Sequence, residues 1–245
     1  MNDLKISIFG DSFSDTREYD EKSRHRKSSK SWVKLLHENY NVTNYSESGT
    51  SLLWSFSKFL ECGDKFDKVI FLVGSNDRIF TPTLTNEDFP LHLSPQHLLS
   101  DKLRAETSKL LSENLNKTKI WENLNFYYRH IHNDIFSNII TDLIISDLIR
   151  NKNILIIPCF RETTDKIKNT DISLIDIVNM ENENWGVDWN YIRNTPKKDL
   201  RHSHMTDENN LMLYEKIQNW ILTGQFNLTV TDYIRTHSKF SDYFK

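Results

Sequence analysis

Cysteine is scarce in this chain of 245 residues, which contains only Cys62 and Cys159. Two cysteines imply no disulfide framework, and no cysteine and histidine spacing in the sequence matches a zinc site. Cys159 lies in the apolar run 154–160, so we interpret it as a buried and inert thiol. These absences argue against a disulfide-stapled scaffold, and we expect neither a metal nor a cofactor.

The sequence also lacks a long uninterrupted hydrophobic run. Its longest apolar stretch, 139–149, is interrupted by Asp142 and Asp147, a pattern that is typical of an amphipathic helix rather than of a membrane span. The N-terminus leads almost directly into an apolar segment, without a basic leader, a long apolar region or a small-residue cleavage site. We therefore expect a cytoplasmic protein with no secretory signal and no membrane span.

Neither sign of charge dominates, because 31 Lys and Arg residues oppose 34 Asp and Glu residues and leave a net charge of −3. This balance gives no reason to expect nucleic acid or an anionic membrane as a partner. The composition, 38% hydrophobic and 27% charged, is that of a globular protein rather than a disordered one.

A polar turn that carries a serine ends the first apolar run. The run 6–9 predicts a strand, and Gly10, Asp11 and Ser12 follow it directly. A serine at the carboxyl end of a strand, beside a helix N-terminus, exposes its hydroxyl and can use its backbone N–H to bind an anion. The alternative is an ordinary helix N-cap, since Asp and Ser are both preferred there.

Three more polar blocks follow along the chain, two of them at the ends of apolar or β-rich runs and one near the C-terminus. They are Ser46-Glu47-Ser48-Gly49-Thr50, Val73-Gly74-Ser75-Asn76-Asp77 and Asp199-Leu200-Arg201-His202-Ser203-His204-Met205-Thr206. With Ser12, the chain resembles the SGNH hydrolases, also called the GDSL family of esterases and lipases, whose four blocks are named for serine, glycine, asparagine and histidine. The resemblance spans residues 4 to about 220, and its specificity lies in the ordered set.

The resemblance implies a serine ester hydrolase. In that family pattern Ser12 is the nucleophile, and a histidine of the last block is the base that activates it. The oxyanion hole would consist of the backbone N–H groups of Ser12 and Gly49 and the side-chain amide of Asn76. Taken singly, Gly49 is better explained as a strand-end turn and Asn76 as a loop cap, so the functional interpretation depends on the ordered set.

The last block departs from the family pattern, which places an acid three residues before the histidine and the final helix just after it. Asp199 lies three residues before His202, whereas His204 directly precedes the expected helix start, with Thr206 as N-cap. We expect His204 to be the base, because the helix position fixes an imidazole more tightly than a loop spacing does. Asp199 would orient it. His202 is the alternative base and Asp188 an alternative acid.

The alternation of apolar runs with helical patterns predicts an α/β fold. Strands are expected near 4–9, 41–46, 68–73 and 153–158, with the first two crossover helices around 31–36 and 52–60. Such alternation implies a mostly parallel sheet with helices on both faces, an α/β/α sandwich, and the resemblance implies a flavodoxin-like one. Since ligands bind outside the carboxyl ends of such strands, the three early blocks can converge on one crevice.

We expect one domain over residues 1–245, with an insertion at about 79–130 and a C-terminal extension at about 224–245. The insertion holds three of the five prolines and would overhang the site beside Asn76. We interpret it as a partly helical lid or substrate-binding subdomain, or else as an oligomer contact. The aromatic-rich extension is expected to pack on the domain or on a second subunit, so a homo-oligomer is possible.

The expected reaction is hydrolysis of a small acyl ester through an acyl-enzyme on Ser12. The substrate would be a small molecule or a glycan ester, and an O-acetyl group on a carbohydrate is what the family resemblance favours. Two alternatives stay open. One is an acyltransferase on the same site, and the other is a catalytically silent carbohydrate-binding or structural module.

Overall fold

A computed structural model describes residues 2–15, 31–47, 49–75, 77–81, 91–132, 134–178, 205 and 207–231. The strands are β1 Asn2–Phe9, β2 Tyr40–Asn44, β3 Lys68–Val73, β4 Ile79–Thr81, β5 Leu91–Leu93 and β6 Ile154–Pro158. The helices are α1 Trp32–Asn39, α2 Leu52–Cys62, α3 Gln96–Leu99, α4 Asp101–Leu110, α5 Lys117–His130, α6 Asp134–Ile149 and α7 Asp207–Thr223. Short 3₁₀ helices lie at Gly63–Lys65 and Arg161–Lys166, and residues 174–178 are also helical.

Four parallel strands form the main sheet in the order β2-β1-β3-β6. This confirms the predicted parallel sheet and all four predicted strands. The second strand ends at Asn44, two residues earlier than expected, because the Asn44 side chain accepts a hydrogen bond from the Ser46 N–H (3.0 Å) and turns the chain. The order 2-1-3 is that of flavodoxin-like sheets, whose ligands bind where the strand order reverses, between β1 and β3.

Helices cover both faces of the sheet, so the α/β/α arrangement is also as predicted. On one face, α1 and α7 pack on the sheet around Trp32, Leu36 and Leu213. On the other face, α2 and α6 pack around Phe71 and Leu148. The two predicted crossover helices begin where serine caps them, since Ser31 accepts from the Lys34 N–H and Ser51 from the Trp54 N–H.

Residues 91–130, here called the insert, lie outside the main sheet. They supply β5, which pairs antiparallel with β4, and the helices α3, α4 and α5. Leu93, Leu111 and Leu124 form a small separate core for these elements. The insert is therefore partly helical, as the sequence indicates, and it has packing of its own.

The apolar stretch at 139–149 lies within α6. Ile144, Ile145 and Leu148 are buried, whereas the outer face carries Ile139 and Leu143 beside acidic residues. The exposed face of α6 therefore carries more apolar side chains than the predicted amphipathic helix would. Within the described part of the chain, no helix combines the length and the apolar character needed to cross a membrane.

The start of the C-terminal extension packs on its own domain, which was one of the two arrangements considered. α7 ends at Thr223, and Gly224 follows with a positive φ of 77°. Leu228 is fully buried, and its N–H donates to the Asn169 carbonyl (2.9 Å). Residues 232–245 lie outside the described ranges.

Candidate active site

Ser12 lies in a tight turn directly after β1. The Asp11 carbonyl accepts hydrogen bonds from the N–H groups of Ser14 and Asp15, both at 3.1 Å. The Asp11 carboxylate accepts a third from the Phe13 N–H (3.1 Å). Residues 10, 11, 13, 14 and 15 are all buried, and only Ser12 is partly exposed. The turn therefore presents the predicted nucleophile, and no other residue of the turn, at the carboxyl edge of the sheet.

Gly10 allows this turn to lie close to the neighbouring strand. A Cβ at this position would lie 2.7 Å from Ser14 Oγ and 2.8 Å from Leu72 Cβ, which is closer than side chains tolerate. The Gly10 carbonyl oxygen lies 3.1 Å from the Thr50 hydroxyl and accepts from the Ser55 hydroxyl (3.3 Å). The serine block is thus joined to the glycine block by the Thr50 side chain and to α2 by the Ser55 side chain.

Gly49 occupies a turn that favours glycine. Its φ is 85°, in the left-handed region, and the Thr50 N–H donates to the Glu47 carbonyl across the turn (3.3 Å). The turn also borders β1, since the Glu47 N–H donates to the Gly10 carbonyl (3.4 Å). The structure therefore brings the predicted oxyanion donor Gly49 to the chain segment that carries Ser12.

The asparagine block contacts the serine block and the start of α2, which follows the glycine block in the sequence. Its Ser75 carbonyl accepts from the Leu52 N–H (3.0 Å) at the start of α2. A Cβ on Gly74 would lie 3.0 Å from the Asp11 carboxylate, so β3 ends against the serine turn. Asn76 itself lies outside the described residues, but the residues on either side of it belong to this cluster.

Asp11 is a buried carboxyl group that sequence analysis did not single out beyond its helix-capping preference. Burial raises its pKa, while the Phe13 N–H and the Arg78 charge act in the opposite direction. The Cys159 thiol donates to it at 3.9 Å. Cys159 is fully buried, as predicted, and burial together with Asp11 raises its pKa well above the usual range. Asp11 therefore supports the turn from beneath and leaves Ser12 facing outward.

The residues predicted as acid and base in the last block, Asp199, His202 and His204, lie outside the described residues, and so do Thr206 and Asp188. Met205 is described and is buried in the same core cluster as Phe13. Its carbonyl accepts from the Asn210 side chain (3.1 Å), and Asn210 in turn accepts from the Trp32 N–H (3.2 Å).

Trp32 extends this chain of contacts to the turn that carries Ser12. Its indole N–H donates to the Phe13 carbonyl at 3.1 Å, one residue from Ser12. Sequence analysis missed both Asn210 and Trp32, since each reads as an ordinary helix residue. Asn210 and Trp32 together hold Met205, which precedes α7, against the turn that carries Ser12.

The insert is joined to the second and third blocks by two aromatic side chains. The Tyr128 hydroxyl lies 2.7 Å from the Asp77 carbonyl oxygen and 2.8 Å from that of Leu93. The His92 Nδ1 accepts from the Ser51 N–H (3.2 Å), and burial with the nearby Arg78 charge lowers the His92 pKa to about 4. His92 is therefore neutral at pH 7. No local sequence pattern distinguishes these residues.

A cavity of about 460 Å³ opens beside edge strand β2. It is bordered by Asp15, Ser46 and Glu47 from the segments next to the serine and glycine blocks, and by Trp54 and Lys58 from α2. Its volume is in the range of small-molecule sites.

The sequence matches no protein-family model, and no curated protein is significantly similar to it. The four blocks occur in the order of the SGNH pattern. The serine block contacts both the glycine block and the asparagine block at the carboxyl edge of the parallel sheet, where such folds bind ligands.

Proposed function

We propose that the protein is a serine ester hydrolase of the SGNH type that cleaves a small acyl ester, such as an O-acetyl group on a carbohydrate. The observation that carries the proposal is the convergence of the first three blocks. Gly10 contacts Thr50, Gly74 lies against Asp11, and Ser12 is the one residue of its turn that is partly exposed. A nucleophile beside a turn that presents a backbone N–H is the arrangement that acyl transfer requires.

In the proposed reaction the Ser12 hydroxyl oxygen attacks the ester carbonyl carbon while His204 takes its proton. The resulting oxyanion is bound by the N–H groups of Ser12 and Gly49 and by the Asn76 amide. Collapse breaks the bond to the alcohol, which leaves with the proton from the imidazolium. Water, activated by the same histidine, then attacks the acyl-enzyme and releases the acid. Asp199 holds the imidazole tautomer and stabilises its charged form.

The choice of His204 over His202 is supported by the anchoring of Met205. Asn210 and Trp32 connect the Met205 carbonyl to Phe13, which adjoins Ser12. Consecutive Cα atoms are only about 3.8 Å apart, and His204 adjoins Met205 in the sequence whereas His202 is three positions from it.

Hydrolysis of an aryl acetate tests the proposal, with acid release followed by titration at constant pH. The parent protein should release acetate without any added acceptor, and Ser12→Ala should abolish this release. Ser57→Ala is the matched control, since the Ser57 hydroxyl donates to the Trp54 carbonyl within α2 (2.8 Å). A parent protein that releases no acetate would favour a silent binding module, and release only with a hydroxyl acceptor would favour an acyltransferase.

A further inference from the structure

Arg78 lies beside the proposed oxyanion hole. It follows the asparagine block by one residue and precedes β4. Its Nη1 donates to the Thr50 carbonyl at 3.2 Å, next to Gly49. The half-buried guanidinium therefore lies between the second and third blocks, on the side of the site that faces the insert.

The positive charge of Arg78 has no counter-ion within ion-pair distance among the described residues. Two nearby carboxylates are engaged elsewhere. Asp11 is buried and accepts from the Phe13 N–H and the Cys159 thiol, and Asp77 accepts from the Ser75 hydroxyl. Apart from the bond to Thr50, the donors of this guanidinium are unused within the described part of the chain.

His92 lies near this charge and is itself neutral. Its Nδ1 accepts from the Ser51 N–H, so the neutral ring carries its proton on Nε2. Nε2 is buried and has no hydrogen-bond partner among the described residues. Arg78 and His92 thus bond to the adjacent residues Thr50 and Ser51, and each retains N–H groups that have no acceptor among the described residues.

We propose that Arg78 binds a carboxylate on the substrate, so that the enzyme prefers esters that carry a negative charge close to the scissile bond. The inference depends on the proposed function and names the chemistry of its substrate. A half-buried cation is costly without an anion, and a guanidinium pairs with a carboxylate through two parallel hydrogen bonds. The neutral ring of His92 near Arg78 does not compensate this positive charge.

The test compares two acetate esters that differ in charge, 4-acetoxybenzoate and its neutral methyl ester. Arg78→Gln should lower kcat/KM for 4-acetoxybenzoate by about 10- to 100-fold, which is the effect of losing a charge-assisted hydrogen bond, and should leave the methyl ester nearly unchanged. Arg78→Lys should keep part of the preference, because it keeps the charge but not the paired geometry. Arg150→Gln, which removes an exposed arginine before β6, is the control.

An equal loss on both esters, or no loss on either, would overturn the proposal. If Arg78→Gln does not fold, the parent protein provides a second test. Raising NaCl to about 1 M, where the screening length is about 3 Å, should reduce kcat/KM for the anionic ester relative to the neutral one. A constant ratio would contradict the role of Arg78. A parent protein that hydrolyses neither ester would refute the proposed function itself, and the substrate preference with it.

Discussion

Substituting Asn210 tests the connection between α7 and the nucleophile turn. In Asn210→Ala two buried groups lose a partner, the Trp32 N–H and the Met205 carbonyl. Each buried group left unpaired costs about 1–3 kcal/mol, so we expect the free energy of unfolding to fall by about 2–6 kcal/mol. The measurement is urea unfolding followed by tryptophan fluorescence, since Trp32 lies at the contact.

The same variant should also lose turnover while it is still folded. Releasing Met205 removes the restraint on the segment that carries the proposed base, and small misplacements of a catalytic group cost about 10- to 100-fold in kcat. The matched control is Asn219→Ala. In the parent protein the Asn219 side chain donates to the exposed Gln225 carbonyl (2.9 Å) near the end of α7. Equal stability losses in Asn210→Ala and Asn219→Ala would refute the reasoning. A destabilised Asn210→Ala with full kcat would show that Asn210 serves the fold alone.

Three further predictions concern the turn and the last block. Gly10→Ala should destabilise the protein by about 1–3 kcal/mol in urea unfolding, because the added Cβ meets Ser14 and Leu72, and an unchanged midpoint would contradict the tight packing. Asp11 has a pKa raised by burial, so its folded form retains a proton that the unfolded chain gives up at lower pH. Its contribution to stability is therefore greatest below the unfolded pKa and is lost as pH rises towards the folded pKa. In Asp11→Asn the free energy of unfolding should depend less on pH above about pH 4 than in the parent protein. An unchanged dependence would contradict the raised pKa of a buried Asp11 carboxyl. His204→Ala should lose about 10⁴-fold in kcat and His202→Ala far less, whereas the reverse order would restore the usual three-residue spacing from Asp199.

The local sequence pattern was sufficient to predict the main sheet and the helices that cover it. The β-branched runs at β1 and β3 are buried on both faces, which is why they read as continuous apolar segments. Ser31 and Ser51 mark the starts of α1 and α2 because a serine side chain satisfies the free N–H groups there. The positions of Ser12 and Gly49 follow from the same logic, since strand ends and turns are local features.

Long-range partners of the site could not be predicted. Asn210 contacts Trp32 across 178 positions of the chain, and His92 contacts Ser51 across 41. Nothing in the spacing of either residue indicates its partner, because the contact arises only once separate elements pack together. The burial of Asp11 was missed for a related reason, since a carboxyl group in a turn is expected to be solvated.

Activity-based labelling tests the central claim most directly. A fluorophosphonate reacts with a serine whose hydroxyl is activated, and peptide mass spectrometry then locates the phosphonate adduct. The account predicts one adduct, on Ser12, that disappears in Ser12→Ala and persists in Ser57→Ala. An adduct on Ser14, labelling that survives in Ser12→Ala, or a parent protein that does not react would contradict the assignment of Ser12 as the nucleophile.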